Sequence, residues 1–125
     1  MKISINELSN LDRALTELEN EKMNAILAYK FSKISKTVKN EMSTVEETRM
    51  KIISPYAQKD ENGQFLVENN QYVIDEKDMA IVTTELNNLY RNEIEIDLDK
   101  IKIDEIKDFT MSNRQMEALM IIIED

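Results

Sequence analysis

The first 54 residues contain neither glycine nor proline, so nothing interrupts a long helical pattern running from Lys22 to Ser54. Met23, Ile26, Leu27, Phe31, Ile34, Val38, Met42, Val45 and Ile52 fall within one broad stripe at 100° per residue. Roughly nine turns of helix follow at 3.6 residues each. Pro55 ends or kinks the helix, because it restricts Ser54 and lacks an amide donor. A stretch of this kind is a scaffold or an interaction surface rather than a catalytic loop.

A shorter helix precedes it. Asn6 is placed to cap a segment from Glu7 that carries Leu8, Leu11, Leu15 and Leu18 at spacings of three and four. Residues 1–57 therefore read as an antiparallel helical hairpin with a long second helix. After it, Lys59-Asp60-Glu61-Asn62-Gly63 holds the only glycine and reads as a loop. Phe65, Val67, Tyr72 and Ile74 flank Asn69-Asn70 in rough alternation, the pattern of a short β-hairpin.

Asp75 is positioned to cap a third helix, with Met79, Val82, Leu86 and Leu89 at helical spacing. Ile94, Ile96 and Leu98 alternate with acids as in a half-buried strand, and Ile101 and Ile103 continue the alternation. Ser112 and Gln115 have capping-box spacing and open a last helix with Met116, Leu119, Met120 and Ile123. The expected fold is α+β and predominantly α: one domain over 1–125, with the helical hairpin at 1–57 and an α+β portion with a small antiparallel sheet and two further helices at 58–125. So long a helix is only partly covered by so small a domain, which predicts a homo-oligomer assembled along it.

Composition limits the chemistry. The chain has no cysteine and no histidine, which removes thiolate and disulfide chemistry together with the commonest general base and zinc ligand. No phosphate-binding loop or metal motif is present, so no cofactor and no enzymatic activity are expected. A net charge of −9 opposes direct binding to nucleic acid or to anionic membranes, which need a basic surface. The amino terminus lacks an apolar run of signal-peptide length, and the terminal apolar cluster is too short to span a bilayer, so a cytoplasmic location is expected.

Against that acidic background one segment stands out. Between Glu21 and Glu41 there is no acidic residue, yet Lys22, Lys30, Lys33, Lys36 and Lys39 all occur there, a charge of +5 against −14 for the remainder. On a helical projection the lysines lie opposite the apolar stripe, with Tyr29 among them and Ala25, Ser32 and Ser43 nearby. Ammonium groups hold phosphate or carboxylate as point charges and an aromatic ring offers a stacking surface. Lys22, Tyr29, Lys30, Lys33, Lys36 and Lys39 are therefore the candidate binding residues for a small anionic ligand or an acidic protein segment. The competing reading is charge balance, with these lysines neutralising Glu7, Glu17, Glu19 and Glu21 or a neighbouring subunit.

Other features carry less. Asp60-Glu61-Asn62-Gly63 begins like a calcium loop but lacks the later ligands, and reads as a plain turn. Glu93, Glu95, Asp97, Asp99, Asp104 and Glu105 form an acidic strip suited to a hard cation or to mimicry of a DNA backbone, and equally to the outer face of a half-buried strand. Met116, Leu119, Met120, Ile121, Ile122 and Ile123 are too apolar for one exposed helix and belong to the core or to an oligomer contact.

The helical hairpin, the phrase Tyr56-Ala57-Gln58-Lys59-Asp60-Glu61-Asn62-Gly63, then Asn69-Asn70-Gln71-Tyr72, then Glu93-Ile94-Glu95-Ile96-Asp97 and a Met-rich final helix together resemble small phage and prophage proteins of low-GC Gram-positive bacteria. The resemblance spans most of the chain, but its motifs are turns and strands and it carries no functional residue across. It implies a viral accessory setting, in the host cytoplasm, in which compact non-enzymatic proteins disable a host defence factor or sequester its nucleotide signal. The expected function is inhibition of a host factor by occlusion or by trapping an anionic ligand. The alternatives are a structural or assembly oligomer and an acidic DNA mimic.

Overall fold

The computed structural model describes all 125 residues. The chain is an α+β fold, mostly helical, in which strand β1 (Lys2–Ser4) leads directly into α1 (Ile5–Leu18) and a six-residue turn leads to α2 (Ala25–Ile53). Strands β2 (Val67–Glu68) and β3 (Gln71–Tyr72) form a hairpin before α3 (Glu76–Arg91). Then come β4 (Glu93–Glu95), β5 (Ile101–Lys102), a 3-10 turn over 103–106, α4 (Asn113–Leu119), a second 3-10 turn over 120–122 and β6 (Ile123–Glu124). No helix is long and apolar enough to cross a membrane.

Helix ends follow side-chain chemistry. The cap of α1 is Ser4 rather than Asn6: Ser4 Oγ accepts from the Glu7 amide at 3.0 Å and Glu7 Oε1 accepts from the Ser4 amide at 3.1 Å. This reciprocal pair satisfies two amides that the first turn leaves unbonded. Asn24 Oδ1 accepts from the Leu27 amide and starts α2 at Ala25, three residues later than the uninterrupted pattern suggests. Lys22 consequently lies in the turn and not on the helix. Ser54 closes α2 before Pro55, its hydroxyl donating to the Met50 carbonyl at 2.7 Å.

The two helices bury matching stripes, Leu8, Leu11, Ala14, Leu15 and Leu18 on α1 against Leu27, Phe31, Ile34 and Val38 on α2. The carboxy-terminal segment completes this core with Ile96, Leu98, Ile101, Ile106, Leu119 and Ile122. Two small ladders fasten it. Strand β1 pairs antiparallel with β4, Ile3 opposite Ile94, and β5 pairs parallel with β6, Ile101 opposite Ile123. Neither β1 nor the parallel pair follows from local pattern, since strands of two or three residues gain their pairing only from distant chain. Ile103, expected to continue a strand, instead opens the 3-10 turn.

From residue 40 to 92 only Val45, Ile53 and Val82 are buried. The molecule thus has a packed head and a thinner arm made of the second half of α2, the hairpin and α3. In the arm, Asn69 and Asn70 both take positive φ, 52° and 64°, as a two-residue hairpin turn of matching twist requires. The hairpin base is closed by three backbone bonds in a ring: the Gln58 amide donates to the Val73 carbonyl, the Val73 amide to Leu66, and the Leu66 amide to Gln58. Phe65 packs edge-on against Tyr72 with centroids 5.4 Å apart, and the Lys59 ammonium sits 5.2 Å from the Phe65 centroid.

The buried residues of α2, Leu27 to Ile53, are packed within the chain, with α1 as the main neighbour and α3 as the second. Leu11 is fully buried, so Leu11→Ala should lower unfolding free energy by about 2–5 kcal/mol in urea titration. Met120→Ala, at a side chain 61% exposed, should change it by less than about 0.5 kcal/mol.

Candidate functional site

Of the five lysines singled out by sequence, Lys22 precedes α2 and the other four spread around it instead of gathering on one face. Successive positions three apart turn by 60° at 100° per residue, so Lys30, Lys33, Lys36 and Lys39 walk across the solvent side from one flank of the buried stripe to the other. Each flank meets a different wall of the protein. Lys30 Nζ bonds Glu105 Oε1 at 2.8 Å, and Lys33 Nζ approaches Asp99 Oδ2 to 3.2 Å. On the opposite flank Lys39 Nζ bonds Asp12 of α1 at 3.1 Å and donates to the Thr16 hydroxyl oxygen at 3.0 Å. Lys22 and Lys36 have no ion-pair partner.

The carboxylates that meet the lysines are therefore Asp12, Asp99 and Glu105, and none of the four acids expected on or just after α1. Two of the three belong to the acidic strip that sequence alone offers as a separate candidate. The two charged features face one another, and Asp99 and Glu105 are engaged by Lys33 and Lys30. Glu105 also accepts from the Lys102 amide at 2.9 Å. These two contacts, the Lys30 bond first, hold its carboxyl below the usual carboxylate range. The hydrogen bond from Lys33 to Asp99, with the attraction of that carboxylate, raises the Lys33 ammonium above its ordinary value. No three acidic side chains converge in a way that could hold a metal ion.

Tyr29, Lys33, Lys36 and Lys39 do share a concavity. It is an open groove of about 590 Å³ between the end of α1 and the first half of α2, with Leu15, Leu18, Met23 and Phe31 on its apolar side and Ser32 and Ser35 on the polar side. Glu19 and Glu21 also line it, so its charge is mixed. Lys30 and Lys22 lie outside it. A second groove, of about 410 Å³ between α1 and α4, is lined by Arg13, Arg114, Glu7, Glu17 and Glu117, and the Gln115 amide crosses it to Glu17 at 3.1 Å.

What sequence reasoning misplaced is Ile26. Assigned to the buried stripe, it is 71% exposed, and Tyr29 one turn on is 68% exposed. The signal lay in the projection: Ile26 stands 100° from Leu27, too far to share a contact surface with α1. Ile26 and Tyr29 form an apolar pair on the outer side of α2, next to lysines already tied to the protein. Compared with protein-family models, with curated proteins and with solved structures, the chain matches none.

The Glu105 contacts give a pH signature. A carboxyl whose pKa is lowered by folding contributes stability that is fully present above its unfolded value, about 4.3, and is lost as pH falls through the folded value. Glu105→Gln should therefore reduce stability at neutral pH and flatten the acid limb of a pH–stability curve measured by denaturant titration below about pH 4. The effect should be modest, because both partners are solvent-accessible.

Proposed function

We propose that the chain is a non-enzymatic binding protein that inhibits a host factor by occlusion, docking through the outer face of α2 around Ile26 and Tyr29. The observation that carries this reading is the exposure of these two large side chains, 71% and 68%, at i and i+3 of a helix. Interface centres are built from such aromatic and aliphatic anchors inside a polar rim. Here the rim is already ordered, because Lys30 and Lys33 are held by Glu105 and Asp99. Side chains fixed before binding lose less entropy on docking.

Further support comes from the interior. Every buried residue is apolar, so the polar and charged side chains remain at the surface, where a partner can meet them. The phage accessory setting rests on the resemblance of the chain's turn and strand phrases, and gives occlusion of a host defence factor its biological sense. Self-association through the same two side chains would instead make the protein an assembly component.

A second reading, sequestration of a nucleotide-like anion, is favoured by the groove that brings Tyr29 together with Lys33, Lys36 and Lys39. Lys36 has no partner there, and the serines add hydroxyl donors. A ligand would have to compete with Asp99 and Asp12 for two of the three ammonium groups.

A photo-crosslinking phenylalanine analogue at position 29, introduced in host cells, should yield one discrete adduct with a host protein. Tyr29→Ala with Ile26→Ala should weaken that complex by about ten- to thirty-fold while leaving the circular dichroism unchanged. A crosslink only between copies of the chain would indicate an assembly role. Small extra mass in native mass spectrometry, lost on Lys36→Glu but kept in Ile26→Ala, would indicate the ligand trap.

A further inference from the structure

The β1–β4 ladder has one closed edge and one open one. The Ile5 amide donates to the Asn92 carbonyl at 2.9 Å and the Ile96 amide to the Met1 carbonyl at 3.0 Å, and an antiparallel ladder alternates bonded with non-bonded pairs. Ile3 and Ile94, in register midway between those contacts, are therefore the bonded pair at the centre. Lys2 opposite Glu95 and Ser4 opposite Glu93 are non-bonded pairs, so their amides and carbonyls point away from the ladder on either side.

On the β1 side the chain itself occupies that edge. The Ser4 amide donates to Glu7 Oε1 at 3.1 Å, and as the cap of α1 Ser4 gives its carbonyl to the first helical turn. On the β4 side nothing comparable happens. β4 has one strand neighbour, β1 is the main element packed along it, and no backbone bond of the protein closes on the amide or carbonyl of Glu93 or Glu95. Both residues are exposed. Each offers a donor and an acceptor at strand spacing, the template on which a further strand builds. A ladder of two strands is marginal by itself and gains stability from a third.

Side chains along β4 say what such a strand must carry. Ile94 and Ile96 pack against the core, while Glu93 and Glu95 stand on the opposite face. Glu95 is met by the Met1 ammonium at 3.4 Å and has Lys2 opposite it in register. Glu93 has no ion-pair partner, nor does Arg91 two residues before it. An added strand places an apolar side chain beside Ile94 and a cation opposite Glu93. A second copy is the wrong occupant, because antiparallel pairing of two β4 edges about Ile94 sets Glu93 of each against Glu95 of the other, and like charges directly opposite destabilise a ladder.

We infer that the outer edge of β4 is a docking site for an extended segment of a partner protein in which apolar and basic residues alternate, added as a third strand to the β1–β4 ladder. Main-chain bonds to Glu93 and Glu95 hold it, and the alternation fixes which of its faces turns to the core. The site does not use Ile26 or Tyr29.

The test uses the full chain and two valine–lysine peptides of equal composition, one strictly alternating and one permuted so that no alternation remains. Fluorescence anisotropy should show the alternating peptide binding about tenfold more tightly. In amide hydrogen exchange read by NMR, its binding should protect the Glu93 and Glu95 amides. Glu93→Pro should abolish the preference: it deletes an outward donor, and Asn92 already holds the extended backbone, φ −61° and ψ 137°, that a following proline requires. Methylating alternate amides of the peptide gives the same test without altering the protein, because only the set aimed at β4 should lose binding. Glu93→Lys should weaken binding and leave the pattern of amide protection in place. Equal binding of the two peptides, protection that spares Glu93 and Glu95, or equal loss from both methylated sets would overturn the inference. So would a dimer in sedimentation equilibrium whose formation protects the same two amides without peptide, since the edge would then belong to a second copy.

Discussion

The seam between α1 and the first half of α2 is the contact on which the rest of the molecule depends. Leu8, Leu11, Leu15 and Leu18 close one side, and Leu27, Phe31, Ile34 and Val38 the other. Neither stripe is wide enough to be enclosed by its partner alone. The gap is filled by residues from the last third of the chain, Ile96 to Ile122, and this brings the start of that segment to the amino terminus. The β1–β4 ladder, and the Met1 ammonium donating to the Ile96 carbonyl at 2.9 Å, are the visible result. Such pairings join residues 89 to 95 positions apart, so closing them costs more chain entropy than forming the helical pair.

Electrostatics follow from the same closure. Packing the carboxy-terminal segment against α2 carries Asp99 and Glu105 to Lys33 and Lys30. A basic stripe and an acidic strip that each look like a binding site in isolation become a set of cross-ties between elements. These pairs are exposed enough that they contribute little stability individually. Their effect is to set orientation, since each fixes a long flexible side chain of α2 relative to a distant segment. What is left for recognition on this face is largely apolar, Ile26 and Tyr29.

The arm obeys a different balance. There α2 packs against α3, and the two gather only Val45, Ile53 and Val82 into the interior. The closed ring of backbone bonds through Gln58, Leu66 and Val73 holds the hairpin base where side-chain burial is scarce. The packed head and the sparsely buried, net acidic arm therefore differ in both burial and charge along one helix.

Sequence by itself determined which helices form and, at Ser54 and Ser112, where one ends and another begins. The Leu spacing of α1, the absence of Gly and Pro through α2, the Ser112 and Gln115 capping box and the Asn69-Asn70 turn act through neighbours only a few residues away, so local pattern is enough to specify them. The α+β class and its helical dominance were legible for that reason. The Ser4 cap of α1 is equally local, a capping box with Glu7, whereas long-range packing alone decided that β1 pairs with β4 just before it. It also decided that Ile103 leaves the strand pattern and that the lysines of α2 meet Asp12, Asp99 and Glu105. Those outcomes depend on which distant segment lies opposite, and a charge or an apolar side chain carries no local mark of its partner. The candidate site was therefore legible as a list of residues, while its division into paired lysines, a mixed groove and an exposed apolar pair came only from long-range packing.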